Sequence, residues 1–197
     1  MTVETQDRRI RRTQNLLAKA LIEVTLEKGY DAVTVRDITD RADVGYATFY
    51  RHYQDKDALL EDVLDVVLNE LISLFFKDNT LPENMKELSS MLFVYVKENY
   101  EIIRVLLSSR YTSVIGKRML EDGTRKLLER NIPKTDSPVP PEIAAYHLVA
   151  STINLIEWWL ENDMRLSPEE MGRIYFELIE RPTMTLAFKP PVQWNQA

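Results

Sequence analysis

Residues 34–60 read TVRDITDRADVGYATFYRHYQDKDALL. Thr34 stands as an N-cap with Asp37 three positions on, the spacing of a capping box that opens a helix. Val35, Ile38 and Ala42 recur at helical intervals, and this helix is expected to end near Ala42. Asp43, Val44 and Gly45 then make a tight connection, and a second short helix covers about residues 46–53. Two short helices joined by a few residues that include a glycine form a helix-turn-helix pattern. Val35, Ile38, Ala42 and Val44 can pack beneath the pair. Asp55 can cap a long helix over residues 56–76.

Outward from this stretch the helical period continues. A first helix is expected over residues 8–28, with Leu17, Ala20, Leu21 and Val24 on one face and Gly29 as its stop signal. Pro82 marks a break, and further helices are expected over about 84–99, 100–108 and 113–130. Residues 132–141 contain four prolines and read as a loop. The stretch PEIAAYHLVASTINLIEWWLEND, from Pro141, gives an eighth helix over 142–162 that is apolar almost all round. Ser167, Pro168 and Glu170 supply an N-cap, a first-turn proline and a capping-box partner for a ninth helix ending near residue 180. Beyond it, Pro182, Pro190 and Pro191 suggest a loosely packed tail. Only five glycines are present and strand-like alternation is scarce, so the fold class is all-α, with about nine helices. The expected division is a DNA-binding domain over 1–55, a larger helical domain over 56–181 and a proline-containing tail over 182–197.

Composition narrows the function. Apolar residues make up 45% of 197 positions, enough for a sizeable core. The absence of cysteine excludes a disulfide framework, a thiolate zinc site and a cysteine nucleophile. No signal-like N-terminus and no membrane-length apolar stretch is seen, so a soluble, cytoplasmic protein without a membrane partner is expected. No catalytic triad ordering, phosphate loop, dinucleotide fingerprint or metal spacing is found. Neither enzyme activity nor a cofactor or metal is therefore expected. The net charge of −6 looks unfavourable for a nucleic-acid binder. It is unevenly spread, however: residues 1–60 hold ten Lys/Arg against ten Asp/Glu, and residues 61–197 hold fifteen against twenty-one. Local charge sets phosphate attraction, and Arg8, Arg9, Arg11 and Arg12 crowd into five positions.

A recognition helix presents its N-terminal residues to base edges in the major groove. Here those are Gly45, Tyr46, Ala47 and Thr48. Gly45 and Ala47 allow close approach. Thr48 offers a hydroxyl and a methyl, and Tyr46 a ring and a phenol, for which the thymine methyl is a plausible target. Thr34, Tyr50, Arg51, His52 and Lys56 suit phosphates, whose contacts fix register. Tyr50 and Tyr53 could also serve as packing residues, and His52 lacks the neighbours a metal ligand needs. With Arg36, the candidate DNA-facing set is Thr34, Arg36, Gly45, Tyr46, Ala47, Thr48, Tyr50, Arg51, His52 and Lys56.

The runs EKGYDAVTVRDI (27–38), the segment 42–53 and DKDALL (55–60) resemble the TetR family of bacterial transcriptional regulators over about residues 10–62. NLIEWWLENDMRLSPEEM is similar, more weakly, to the C-terminal part of a Gram-positive subgroup. The resemblance implies that residues 34–56 touch double-stranded operator DNA and that the remainder binds a ligand and dimerises. Two positions depart from the family pattern. Gly45 stands where serine is frequent, and Tyr46 where lysine, glutamine or a small polar residue is. Both bear on which operator is read.

A helix apolar on several sides is covered on several sides. The eighth helix and the amphipathic ninth are therefore expected to build a four-helix interface between two copies. Tyr146, Ala150, Ile153, Trp158, Met171, Ile174, Tyr175 and Leu178 are its candidates, with intramolecular core as the other reading. By the family resemblance an effector pocket is expected among Phe75, Met91, Phe93, Tyr95, Tyr100, Arg104, Tyr111 and His147. The function that follows is a homodimeric repressor released from its operator by an unknown small molecule. The alternatives are a helical small-molecule-binding or interaction protein, and a regulator switched by a protein partner.

Overall fold

Gly29 ends the first helix in a left-handed conformation (φ 79°), its N–H donating to the Thr25 carbonyl at 2.8 Å. A β-carbon is disfavoured there, so the stop is built into the sequence. The computed structural model describes residues 3–76, 85–108 and 114–189, with side chains for 8–71, 87–107 and 117–189. In chain order the helices are α1 (Val3–Lys28), α2 (Val35–Ala42), α3 (Tyr46–His52), α4 (Lys56–Phe76), α5 (Met85–Glu98), α6 (Tyr100–Ser108), α7 (Val114–Arg130), α8 (Pro141–Glu161), α9 (Pro168–Tyr175) and α10 (Arg181–Ala187). A 3₁₀ turn, Tyr30–Ala32, follows α1. Helix α1 begins earlier than expected, since nothing before Arg8 breaks a helix. The described residues contain no strand, only an isolated antiparallel bridge between Pro133 and Phe188. No helix among them is long and apolar enough to cross a membrane.

The chain forms two compact units, residues 1–67 with 101–116, and residues 68–100 with 117–197. In the first, Leu17 and Leu21 of α1, Ile38 of α2, Phe49 of α3 and Leu59, Leu60 and Leu64 of α4 are fully buried. The expected α1 face, Leu17, Ala20, Leu21 and Val24, is the buried one. Ion pairs join α1 to α2: Arg41 donates to Glu23 at 3.2 Å and to Glu27 at 2.7 Å, and Lys28 meets Asp37 at 2.6 Å. These are exposed pairs that fix orientation more than they add stability.

In the second unit α5 packs against α9. An added β-carbon on Gly172 would lie 2.5 Å from the Ser90 backbone, so only glycine permits this approach. Phe93, fully buried, meets Trp159 and Tyr175 edge-on at 5.4 and 6.0 Å. The Trp159 indole N–H donates to the Leu166 carbonyl at 3.0 Å. The capping box at Ser167 forms as expected, with Ser167 N–H donating to Glu170 and Glu170 N–H to Ser167 Oγ.

The chain after Pro182, expected as a loose tail, is helical to Ala187. Pro182 has no N–H to give and would crowd the preceding turn of an α-helix. The helix avoids this by widening into a π turn, Phe176–Glu180, in which Arg181 N–H reaches the Phe176 carbonyl five residues back. Ala187 and Phe188 then pack into a buried cluster with Ala144 and Ala145 of α8. Backbone hydrogen bonds Lys134 N–H to Ala187 O (2.9 Å) and Lys189 N–H to Ile132 O (2.8 Å) pin the segment. Helix propensity and burial together override the proline.

Candidate nucleic-acid interface

Helix α2 is opened by the predicted capping box: Thr34 N–H donates to Asp37 Oδ2 at 2.8 Å and Asp37 N–H to Thr34 Oγ1 at 3.2 Å. The Lys28 ammonium beside Asp37, then the Thr34 hydroxyl and N–H, hold the Asp37 carboxyl well below the usual carboxylate range. The turn between α2 and α3 depends on Asp43 in the left-handed region (φ 52°), which short polar side chains tolerate. Val44 N–H closes the turn on the Thr39 carbonyl at 3.0 Å.

Successive residues of α3 are turned by about 100°. Phe49 is fully buried and Tyr53, just past the helix, is 7% exposed, with its phenol donating to Asp62 at 2.6 Å. Tyr53 is therefore a packing residue. With those two pointing inward, Ala47 and Arg51 point outward, Tyr46 and Tyr50 share one flank, and Thr48 and His52 the other. Exposure agrees: Tyr46 and Tyr50 are 54% and 49% exposed, Ala47 and Arg51 are exposed, and Thr48 and His52 half-buried. The two phenol oxygens lie 3.2 Å apart with rings edge-on at 5.1 Å. That bond to Tyr46, with burial a lesser cause, raises the Tyr50 pKa above its ordinary value.

Gly45 caps α3 with no side chain, at an ordinary φ of −61°. An added β-carbon would meet only Thr48 Oγ1, at 3.7 Å, so nothing inside the molecule requires a glycine. Thr34 and Arg36 are exposed, as are Arg8, Arg9, Arg11 and Arg12 on α1. Lys56 departs from expectation. Its ammonium donates inward, to the carbonyls of Tyr30 (2.8 Å), Val33 (3.0 Å) and Asp31 (3.4 Å), which engages all three N–H groups.

The expected interface between copies divides. On α8, Tyr146 and Trp158 are 54% and 50% exposed, and Ala150 and Ile153 half-buried. Leu178 is 68% exposed and Ile174 half-buried. Met171 and Tyr175 are instead core, 0% and 6% exposed, because this side of α9 faces α5. Ile143 on α8 and Leu186 on α10, which sequence reasoning did not single out, are also exposed, at 60% and 45%.

The described pocket candidates differ in burial. Phe93 is core, and Tyr95 is buried with its phenol donating to Glu70 at 2.7 Å. Met91, Tyr100, Arg104 and His147 are exposed, His147 Nδ1 lying 3.4 Å from Ser151 Oγ. The side chain of Phe75, and Tyr111 altogether, lie outside the described residues. A buried acid was also missed: Glu180, on the π turn, accepts a hydrogen bond from the Ser89 hydroxyl, and burial raises its pKa. Among the described residues no cluster of three metal-ligating side chains is present.

Comparison with known proteins places both parts of the chain. Residues 17–63 match the model of the bacterial regulatory proteins of the tetR family. Residues 83–181 match a transcriptional regulator C-terminal region. Over 185 residues, 88% of this chain, the sequence is 27% identical to the HTH-type transcriptional regulator YxbF of Bacillus subtilis (strain 168). The match spans 46% of that protein, so the chain covers less than half the length of this relative. A TetR transcriptional regulator from Streptococcus agalactiae 2603V superimposes with a TM-score of 0.63 at 26% identity, covering 91% of this chain and all of the other. SmeT, the repressor of the Stenotrophomonas maltophilia multidrug efflux pump SmeDEF, does so with a TM-score of 0.63 at 15% identity, covering 91% of this chain and 92% of its own.

Proposed function

Because the chain belongs to the TetR family of bacterial regulatory proteins, we propose that it is a cytoplasmic, DNA-binding transcriptional repressor that acts as a homodimer. The observation that carries this reading is the outer side of α3. One side of a short helix is anchored by Phe49, and the other leaves Tyr46, Ala47, Tyr50 and Arg51 exposed. In the major groove, Tyr46, Ala47 and Thr48 meet base edges, with Gly45 allowing the backbone to come close. Thr34, Arg36, Tyr50, Arg51 and His52 meet phosphates, and the α1 arginines add positive charge.

Two copies are joined through Tyr146, Ala150, Ile153 and Trp158 of α8 with Ile174 and Leu178. Such pairing supplies two readers, and successive major grooves on one face of the duplex repeat every ~34–36 Å. A mostly apolar effector in the second unit lowers DNA affinity by favouring a conformation whose readers no longer match that spacing. Supporting this, Met119 and Leu120 of α7 are only half-buried, which leaves apolar surface for a ligand. A second reading, release by a protein partner, is favoured by the close packing of Phe93, Trp159 and Tyr175.

The test is a mobility-shift titration with the DNA upstream of the protein's own gene, with sedimentation of the free protein. A dimer that binds this duplex in preference to shuffled DNA is expected. A monomer, or equal binding to both duplexes, would overturn the reading.

A further inference from the structure

Lys56, Tyr30 and Asp57 form a cluster that the recognition surface does not use. The Lys56 ammonium sits 4.5 Å over the Tyr30 ring while donating to the carbonyls of Tyr30 and Val33. Tyr30 is 6% exposed, and its phenol donates to the Asp57 carboxylate. Burial first, and this bond second, push the phenol pKa well above its ordinary range, so the proton stays in the bond. The Tyr30 carbonyl already accepts the Val33 N–H that closes the 3₁₀ turn, at 3.1 Å, and a cation is the natural donor for the remaining acceptor capacity of several neighbouring carbonyls at once.

The cluster's place in the chain gives it a consequence. Val33 immediately precedes Thr34, the cap of α2, and Lys56 and Asp57 open α4. The exit from α3 is tied to the same helix: Asp55 Oδ1 accepts from Ala58 N–H at 2.8 Å and Tyr53 donates to Asp62. The entrance to the helix-turn-helix and its exit are both fastened to the first two turns of α4.

We infer that Lys56, with Tyr30 and Asp57, is a positioning clamp that locks the entrance of the helix-turn-helix to α4, and is not a phosphate contact. The inference rests on the DNA-binding reading above. With the clamp closed, α2 and α3 follow α4 as one body. With it open, α2 and its turn move independently, and each copy must order its reader before binding. Two copies bear this cost, so in a dimer the free-energy cost is doubled and the fold-change in affinity is squared.

The experiment uses Lys56→Met, which keeps most of the aliphatic stem and removes the donors, and Tyr30→Phe, which removes only the bond to Asp57. Affinity for the upstream duplex is measured over a salt series, well below the melting temperature, together with amide hydrogen exchange. Val24→Ala on α1, a core change that leaves every hydrogen bond of the clamp in place, controls for lost stability. Lys56→Met is expected to weaken binding to all sequences by roughly tenfold or more. The slope of log affinity against log salt stays unchanged, and exchange quickens at residues 33–38. Tyr30→Phe shifts both readouts the same way by less, although it removes no charge. Val24→Ala leaves affinity unaltered. A phosphate contact would instead lower the salt slope by about 0.9 per copy with exchange unchanged, and that result overturns the clamp. If the wild-type protein binds no duplex, the DNA-binding reading fails, and the exchange data alone decide the clamp: unaltered protection at 33–38 in Lys56→Met refutes it.

Discussion

Adjacent tryptophans on α8 should behave in opposite ways. Trp158 is 50% exposed and Trp159 1% exposed. A large aromatic side chain buries up to ~250 Å², so about 125 Å² of Trp158 is available to a partner. At ~25 cal/mol per Å², covering it contributes about 3 kcal/mol. A two-fold interface counts the residue twice, giving about 6 kcal/mol, or ~10⁴-fold in the dimer dissociation constant. That is a ceiling, since interface area converts incompletely to affinity, and a loss of at least ~10²-fold is expected for Trp158→Ala. Sedimentation velocity over a concentration series reads it directly, while the melting temperature of the monomer should barely move. Trp159→Ala is the counterpart. It removes the ring packed on Phe93 and the bond to Leu166, and should cost ~3–5 kcal/mol of folding stability. A Trp158→Ala protein with an unchanged dimer constant would refute the assignment of this face.

Replacing Gly172 with alanine places a methyl 2.5 Å from the Ser90 backbone. Separating α5 from α9 should cost ~1–3 kcal/mol or more, seen as a fall in thermal midpoint, and an unchanged midpoint would mean the helices are not so closely apposed. Asp37 has a folded-state pKa below its unfolded value, with the Lys28 bond as first cause. Its contribution is therefore complete above about pH 4 and is lost as pH falls below that. Asp37→Asn should flatten the acid limb of a stability–pH curve, and an identical limb would show that the carboxyl does not contribute. Tyr46→Ala should relax preference at particular operator positions by ~1–3 kcal/mol in a selection from random duplexes, whereas uniform weakening would place Tyr46 on the backbone.

Where local chemistry decides, the sequence was readable. Thr34 with Asp37, Ser167 with Glu170, and Gly29 act within four residues of themselves, and each forms the cap its spacing implies. The apolar α1 face followed from period, and the two helices of the helix-turn-helix from period together with the Thr34 cap and the connection through Gly45. Long-range choices were not readable. Lysine at position 56 has the charge and reach for a phosphate. Only the fold shows three backbone carbonyls within range of its ammonium, and carbonyls carry no side-chain signal. Pro182 looks like a terminator until the packing of Ala187 and Phe188 against α8 is known.

The stripe Met171, Ile174, Tyr175 and Leu178 shows the limit most clearly. Its i, i+3, i+4, i+7 spacing says that one side of the helix is apolar, but not which neighbour covers it. The period holds only as far as Tyr175: Met171 and Tyr175 are buried on the α5 side, while Leu178 lies in the π turn Phe176–Glu180, where the 3.6-residue repeat is broken, and is exposed. One local signal could have separated them. Gly172 lies beside Met171 on the buried side, and a glycine inside a helix costs ~1 kcal/mol relative to alanine, a cost that close helix packing offsets. The glycine thus marks the side on which another helix approaches most closely, and Leu178, past the end of α9, is left for whatever the protein meets outside itself.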